Sequence, residues 1–158
     1  MSGRFQRITP FLWFDTQAEE AANYYVSIFP NSRVTSITRY TKESAEASGR
    51  PLDSVMTAAF ELDGQQVTAL NGGPIFTFNE ALSLVVRCHD QAEIDHYWNT
   101  LSAGGDPNAQ ACGWLKDKYG LSWQIVPGDI EALVQNPRSV AALMQMKKID
   151  IAAMKAAA

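Results

Sequence analysis

Acid–base, nucleophilic and metal chemistry each need imidazole, thiolate or carboxylate groups gathered at one place, and this chain supplies few. Its histidines are His89 and His96 and its cysteines Cys88 and Cys112. His89 falls at a strand end and His96 on a helix, so both read as surface residues, and together they cannot complete a three-ligand metal site. The cysteines have neither the spacing of a metal clip nor the numbers of a disulfide framework, and both read as buried thiols. Asp15 and Glu80 lie at segment ends, where they could reach a pocket mouth or serve a helix start and a turn. No proton acceptor stands beside a nucleophile.

What the chain offers instead is neutral and aromatic. In "CGWLKDKYGLSWQIVP", residues 112–127, two short apolar strands flank a turn at Asp117-Lys118-Tyr119-Gly120. Along the second strand Leu121, Trp123 and Ile125 share an apolar side, leaving Ser122, Gln124 and Val126 on a more polar one. Earlier, Leu82, Leu84, Val86 and Cys88 form an apolar face, with Ser83, Val85 and Arg87 opposite. At the start of the chain Pro10, Leu12 and Phe14 alternate with Thr9, Phe11 and Trp13. Faces of Thr, Ser, Gln and Arg among aromatics point either to solvent or into a cavity. Solvent would leave Phe11 and Trp13 exposed side by side, so a sheet curved around an apolar cavity with a few orienting polar groups is the better reading. Trp13, Phe11 and Trp114 could stack on a planar ligand, and Arg87 could hold an anion or enolate. Asn71 and Asn79 flank a linker and read as turn formers, Asn71 with a possible ligand contact as well.

These strands belong to elements that occur twice. "FLWFDTQAEEAANYYVSIF" resembles "LSLVVRCHDQAEIDHYWNTL", and the shared Gln17 and Gln91 stand about half the chain apart, the mark of a duplicated supersecondary unit. Each copy opens with a strand, at 8–14 and 82–88, and continues into a helix with Thr16 or Asp90 as its N-cap. The helices should end near Pro30-Asn31 and Gly104-Gly105. Strands follow at 33–40, 55–62 and 65–71, the last two joined by an Asp63-Gly64 turn, and then at 108–111, 113–116 and 121–126. The expected fold class is α+β: two tandem βαβββ modules, 8–72 and 80–127, whose curved, partly closed mixed sheets surround a cavity. A helical tail follows over 128–158. The polar segment 41–54 reads as a long hairpin loop, mobile or lid-like. In the tail Asp129 should cap a short helix. A longer one begins near Pro137-Arg138, with Val140, Leu143, Met144 and Ile151 forming an apolar stripe for core or dimer contact.

Bulk properties fit this picture. A chain of 158 residues, 46% hydrophobic and 19% charged, suits one compact domain or two modules sharing a core. A net charge of -4 without a basic stripe argues against nucleic acid. No apolar run approaches the roughly 20 residues that span a bilayer, and "MSGRFQR" lacks the apolar core of a signal peptide. A cytoplasmic protein is expected.

The tandem module, with "LNGGP", "FNEA", the Gln91–Trp98 helix and "CGWL-DKYG-SWQIVP", resembles the PhnB-like family, labelled 3-demethylubiquinone-9 3-methyltransferase-like, of the vicinal oxygen chelate superfamily. That superfamily includes glyoxalase I, extradiol dioxygenases and bleomycin-resistance proteins. The resemblance runs from Ile8 to about Ile151. It implies an internal cavity completed by pairing modules within or across chains, and hence a homodimer. In metal-using members it implies His or Glu ligands from inward strand positions. Here those positions fall at or near Thr9, at Ser83 and at Gln124, and the arm 64–71 holds neither His nor carboxylate. Hydroxyls and a neutral amide are poor donors for a transition metal, so no metal and no cofactor are expected. The methyltransferase label finds no support in the residues, since Gly72-Gly73-Pro74 precedes an extended segment and not a helix.

Two functions remain open. One is a protein that binds a small planar or amphiphilic molecule. The other is an enzyme, metal-independent or atypical in its metal use, acting on a small carbonyl or aromatic substrate.

Overall fold

A computed structural model describes residues 5–158 of the chain. The reading of "MSGRFQR" as lacking the apolar core of a signal peptide falls partly outside the described residues. The chain divides into two compact units, Met1–Thr77 and Phe78–Ala158.

The first unit runs β1 (Phe11–Phe14), α1 (Ala18–Ile28), β2 (Arg33–Arg39), α2 (Lys42–Ser48), β3 (Val55–Leu62) and β4 (Gln65–Asn71). Its sheet has the order β1-β4-β3-β2, with β1 parallel to β4 and the other pairs antiparallel. Ala18, Ala21, Ala22 and Tyr25 recur at helical spacing and are all buried. Three small side chains let α1 approach the sheet closely, and the Tyr25 ring stacks on Phe60 at 6.2 Å. The β3–β4 hairpin turns at Asp63-Gly64, both at positive φ, as its sequence implied.

Two expectations fail in this unit. Thr16 does not cap α1: Gln17 occupies that position and gives no side-chain cap. The segment 41–54 is not an unstructured loop, because it contains α2. There Thr41 and Ser44 close a reciprocal capping box, and Gly49 ends the helix at φ 71. The capping signal is short and local, and the polar composition around it obscured it.

The second unit runs β5 (Ser83–Cys88), α3 (Gln91–Ser102), β6 (Trp114–Lys116), β7 (Ser122–Pro127), α4 (Ile130–Leu133), α5 (Pro137–Leu143) and α6 (Ile151–Ala157). The sheet order is β5-β7-β6, with β5 parallel to β7. Ile94, Trp98 and Leu101 are the buried residues of α3. Leu115, Trp123 and Ile125 supply the buried apolar side of β6 and β7. Asp90 caps α3 as expected, accepting from Glu93 N at 2.9 Å.

The strand expected at 108–111 is absent. Asp106 caps a 3-10 turn, Pro107–Ala109, and a single bridge joins Ala111 to Trp114. Pro107, just before the segment, suits the first position of that turn, where its missing N–H costs nothing. Leu82 lies just outside β5 and is exposed, and Cys112 is only partly buried. The expected tail stripe is split between α5 and α6, with Met144 exposed. Its anchors are Ile149 and Met154, both fully buried and packed with Val126. Among the described residues no helix is long and apolar enough to cross a membrane.

Candidate functional site

Strand register sorts the candidate residues into two sheet faces. In the second unit Ser83 pairs with Ser122, which pairs with Lys116, and Val85 pairs with Gln124, which pairs with Trp114. Cross-strand partners share a face. Ser83, Ser122, Gln124 and Trp114 therefore lie together, joined by Lys116, which the sequence reading passed over although Trp114 and Lys116 alternate in step. Gln124 Nε2 donates to Ser83 Oγ at 2.9 Å. Ser122 is buried, and its hydroxyl has no hydrogen-bond partner among the described residues. Buried hydroxyls are usually hydrogen-bonded, so an unpartnered one beside a bonded amide marks an unusual spot on this face.

Charge borders this face. Lys116 Nζ lies 2.6 Å from Glu80, and this hydrogen bond holds the Glu80 carboxyl below its ordinary range. Arg87 does not point an idle guanidinium at a ligand. It forms a two-pronged pair with Glu131, one bond at 2.9 Å, and donates to Gly128 O at 3.3 Å. An anion would have to compete with Glu131.

That pair makes a checkable statement. The hydrogen bond from Arg87 lowers the Glu131 carboxyl to about 2. Because the folded value lies below the unfolded one, the contribution is present above about pH 4.5 and fades as pH falls toward 2. Both groups are exposed, so the effect on stability is small. Arg87→Met should return the Glu131 titration, followed by carboxyl carbon NMR, to the ordinary carboxylate range.

In the first unit Phe11 and Trp13 pair with Thr68 and Leu70, on the side opposite the buried Leu12 and Phe14. Phe11 is 59% exposed. Thr9 precedes the strand and is half-buried. Trp13 is already engaged: its Nε1 donates to Gly73 O at 2.9 Å, and its ring meets Phe76 edge-on at 4.9 Å. A Cβ on Gly72 would lie 2.2 Å from that ring. Gly72-Gly73 thus admits the indole, which explains the motif without phosphate or nucleotide. Asn71 pairs with Phe14 and so lies on the α1 side. Its amide accepts from Ala18 N at 2.8 Å and donates to Val55 O at 3.1 Å, which makes it a structural clip.

Two concavities stand out, one in each unit. One of about 230 Å³ is bordered by Thr16, Glu19, Arg50, Ser54 and Asn71. The other, about 600 Å³, lies at the ends of β5 and β7, bordered by Cys88, His89, Asp90, Asp150 and Lys155. Burial, with the charges of Glu93 and Asp90, pushes the Cys88 thiol up to about 12, so it stays protonated and is neither nucleophile nor thiolate ligand. His89 and His96 are exposed, as expected. Among the described residues no three His, Cys, Asp or Glu side chains gather as a metal-ligand set.

The model of a family described as 3-demethylubiquinone-9 3-methyltransferase matches residues 6–126. The PhnB protein from Bacillus cereus is 36% identical, with 77% of this chain covering 99% of that one at a TM-score of 0.65. Protein PA1353 from Pseudomonas aeruginosa is 20% identical, the coverages being 78% and 98% and the TM-score 0.60. The fosfomycin resistance protein FosX from Listeria monocytogenes is 13% identical, with coverages of 86% and 100% and a TM-score of 0.51. No curated protein matches the chain.

Proposed function

The chain belongs to the PhnB-like, 3-demethylubiquinone-9 3-methyltransferase family of the vicinal oxygen chelate superfamily, and from that premise we propose that it binds a small planar or amphiphilic organic molecule without using a metal. The observation that carries this reading is the neutral row Ser83–Gln124–Ser122. Two of its members bond to each other, and the buried hydroxyl of the third has no partner among the described residues. The positions that would correspond to metal ligands in metal-using members of the superfamily are at or near Thr9, at Ser83 and at Gln124. A donor set of two hydroxyls and an amide does not fit a divalent transition ion, which selects thiolate, imidazole or carboxylate. Trp114, beside Gln124, supplies an aromatic wall, and the row supplies hydrogen bonds that orient a polar edge.

Catalysis finds less support. Glu80 is held ionised by Lys116, and Cys88 is held protonated, so neither is poised to exchange a proton near neutral pH. Methyl transfer is not carried over from the family's description, because β4 runs into Gly72-Gly73 with no helix behind it to receive a nucleotide. The exposed Phe11, Ile75, Phe76, Leu82 and Val85 support a homodimer in which a second copy covers these apolar groups. Cys88 and Cys112, both unpaired, support a reducing, cytoplasmic setting.

Native mass spectrometry with elemental analysis of untagged protein tests these statements together. We expect two chains, a co-purified small molecule, and no stoichiometric zinc, nickel, manganese or iron. Gln124→Leu should lose the molecule while its thermal melt stays within about 2 °C, as for a partly exposed change that empties no core. Stoichiometric metal held by protein groups would overturn the reading, as would conversion of the co-purified molecule.

A further inference from the structure

The family model stops at residue 126, and 77% of this chain suffices to cover 99% of the Bacillus cereus PhnB protein. The helices α4 to α6 lie beyond the residues that the family model matches. This segment is tied to the rest of the second unit at several places, among them the loop entering β6.

The loop entering β6 holds two successive residues in the left-handed region, Cys112 at φ 54 and Gly113 at φ 87. A non-glycine residue there is strained and persists only where its surroundings over-determine it. The tail supplies the determinants. Cys112 N donates to Met146 O and Gly113 N to Lys147 O, each at 2.8 Å. A Cβ on Gly113 would lie 2.8 Å from Cδ1 of Ile149, so the missing side chain makes the notch that the fully buried Ile149 fills. Gly113 O in turn accepts from Ile125 N at 2.8 Å.

The tail segment is itself fixed from the far side. The Gln91 amide grips its backbone in both directions, donating to Ile149 O and accepting from Ile151 N, both at 2.9 Å. Lys148 pairs with Asp95 at 2.8 Å. The next residue after the strained pair is Trp114, set opposite Gln124.

We propose that residues 146–151 are a positioning clamp, in which Met146 O, Lys147 O and the Ile149 side chain impose the left-handed turn that sets Trp114 beside Gln124. The purpose of the clamp rests on the reading of that face as a ligand site; its existence does not.

The experiment uses the full chain labelled with 5-fluorotryptophan, the Trp114 fluorine signal being assigned by Trp114→Phe. In Ile149→Ala the Trp114 signal should shift and broaden while that of Trp13 stays in place. Amide exchange at Cys112 and Gly113 should quicken about tenfold, the scale of one hydrogen bond's net contribution. Ile149→Val, which keeps Cγ1 but not the Cδ1 that fills the notch, should restore part of both. Should Ile149→Ala fail to fold, Gln91→Leu loosens the same segment without emptying the core, and the same signals are read. An unmoved Trp114 signal with unchanged exchange at both amides overturns the clamp. A moved Trp114 with the co-purified molecule fully retained leaves the clamp standing and removes Trp114 from the ligand site.

Discussion

Replacing Asp117 by alanine should lower stability by about 3 kcal/mol or more, because three N–H groups lose a charged acceptor at once in a buried place. Asp117 is 2% exposed. Its Oδ1 accepts from Tyr119 N at 2.8 Å and Leu121 N at 3.1 Å, and its Oδ2 accepts from Trp123 Nε1 at 2.9 Å. The backbone closes the same turn, with Asp117 N donating to Leu121 O and Gly120 N to Asp117 O, both at 2.9 Å. One carboxylate therefore sets the β6–β7 hairpin and anchors the indole beneath it. The register it sets is the one that places Trp114 against Gln124 and Lys116 against Ser122. For a chain of this size the expected fall in Tm is about 6–12 °C by calorimetry. Lys118→Ala, at an exposed position of the same turn, should stay within about 0.5 kcal/mol. Asp117→Asn should fall between the two, since it can keep the Oδ1 contacts but sets an amide N–H against Trp123 Nε1–H. An Asp117→Ala melt within about 2 °C of the parent would contradict this account.

Asn71→Ala is expected to cost about 2 kcal/mol through a different mechanism. The first turn of a helix carries N–H groups with no partner inside the helix, and Gln17 provides no side-chain cap for α1. Asn71 reaches across from the end of β4 to take Ala18 N, and its other amide arm secures Val55 O. Removing it strands a buried helix donor and a part-buried strand acceptor, the donor bearing most of the cost. Urea unfolding should report the loss, and hydrogen exchange at Ala18 should quicken ahead of the rest of α1. The Tyr40 hydroxyl bond to Asn71 O uses the backbone and should survive. Asn71→Asp should recover only part of the loss: a carboxylate suits the helix N-terminus but repels Val55 O. If alanine and the parent unfold alike, Asn71 is not the clip.

The two residues differ in how far the sequence announced them. Asp117 stood in a recognisable Asp-Lys-Tyr-Gly turn, so the hairpin was legible, because turn chemistry is a matter of four neighbouring residues. That its carboxylate would be buried against Trp123 was not. Asn71 read as a turn former with a possible ligand contact, and only its pairing with Phe14 shows which side of the sheet it serves. The α2 helix was missed for the opposite reason: its capping box is local, but its surroundings are polar throughout and no residue of it is buried. The tail stripe was read from hydropathy alone. It favoured the exposed Met144 over Ile149, whose burial comes from a notch some thirty-six positions earlier.

The duplication, the alternation of strand faces and the neutral character of Ser83, Ser122 and Gln124 were determined by sequence alone. Periodicity and donor chemistry are properties of the residues themselves, whatever surrounds them. The bond between Gln124 and Ser83, the capture of Arg87 by Glu131, the seating of Trp13 on Gly72 and the hold of the tail on Cys112 were decided only by the tertiary structure. Each joins residues far apart in the chain, and no local pattern encodes which distant group will arrive within 3 Å or so of another.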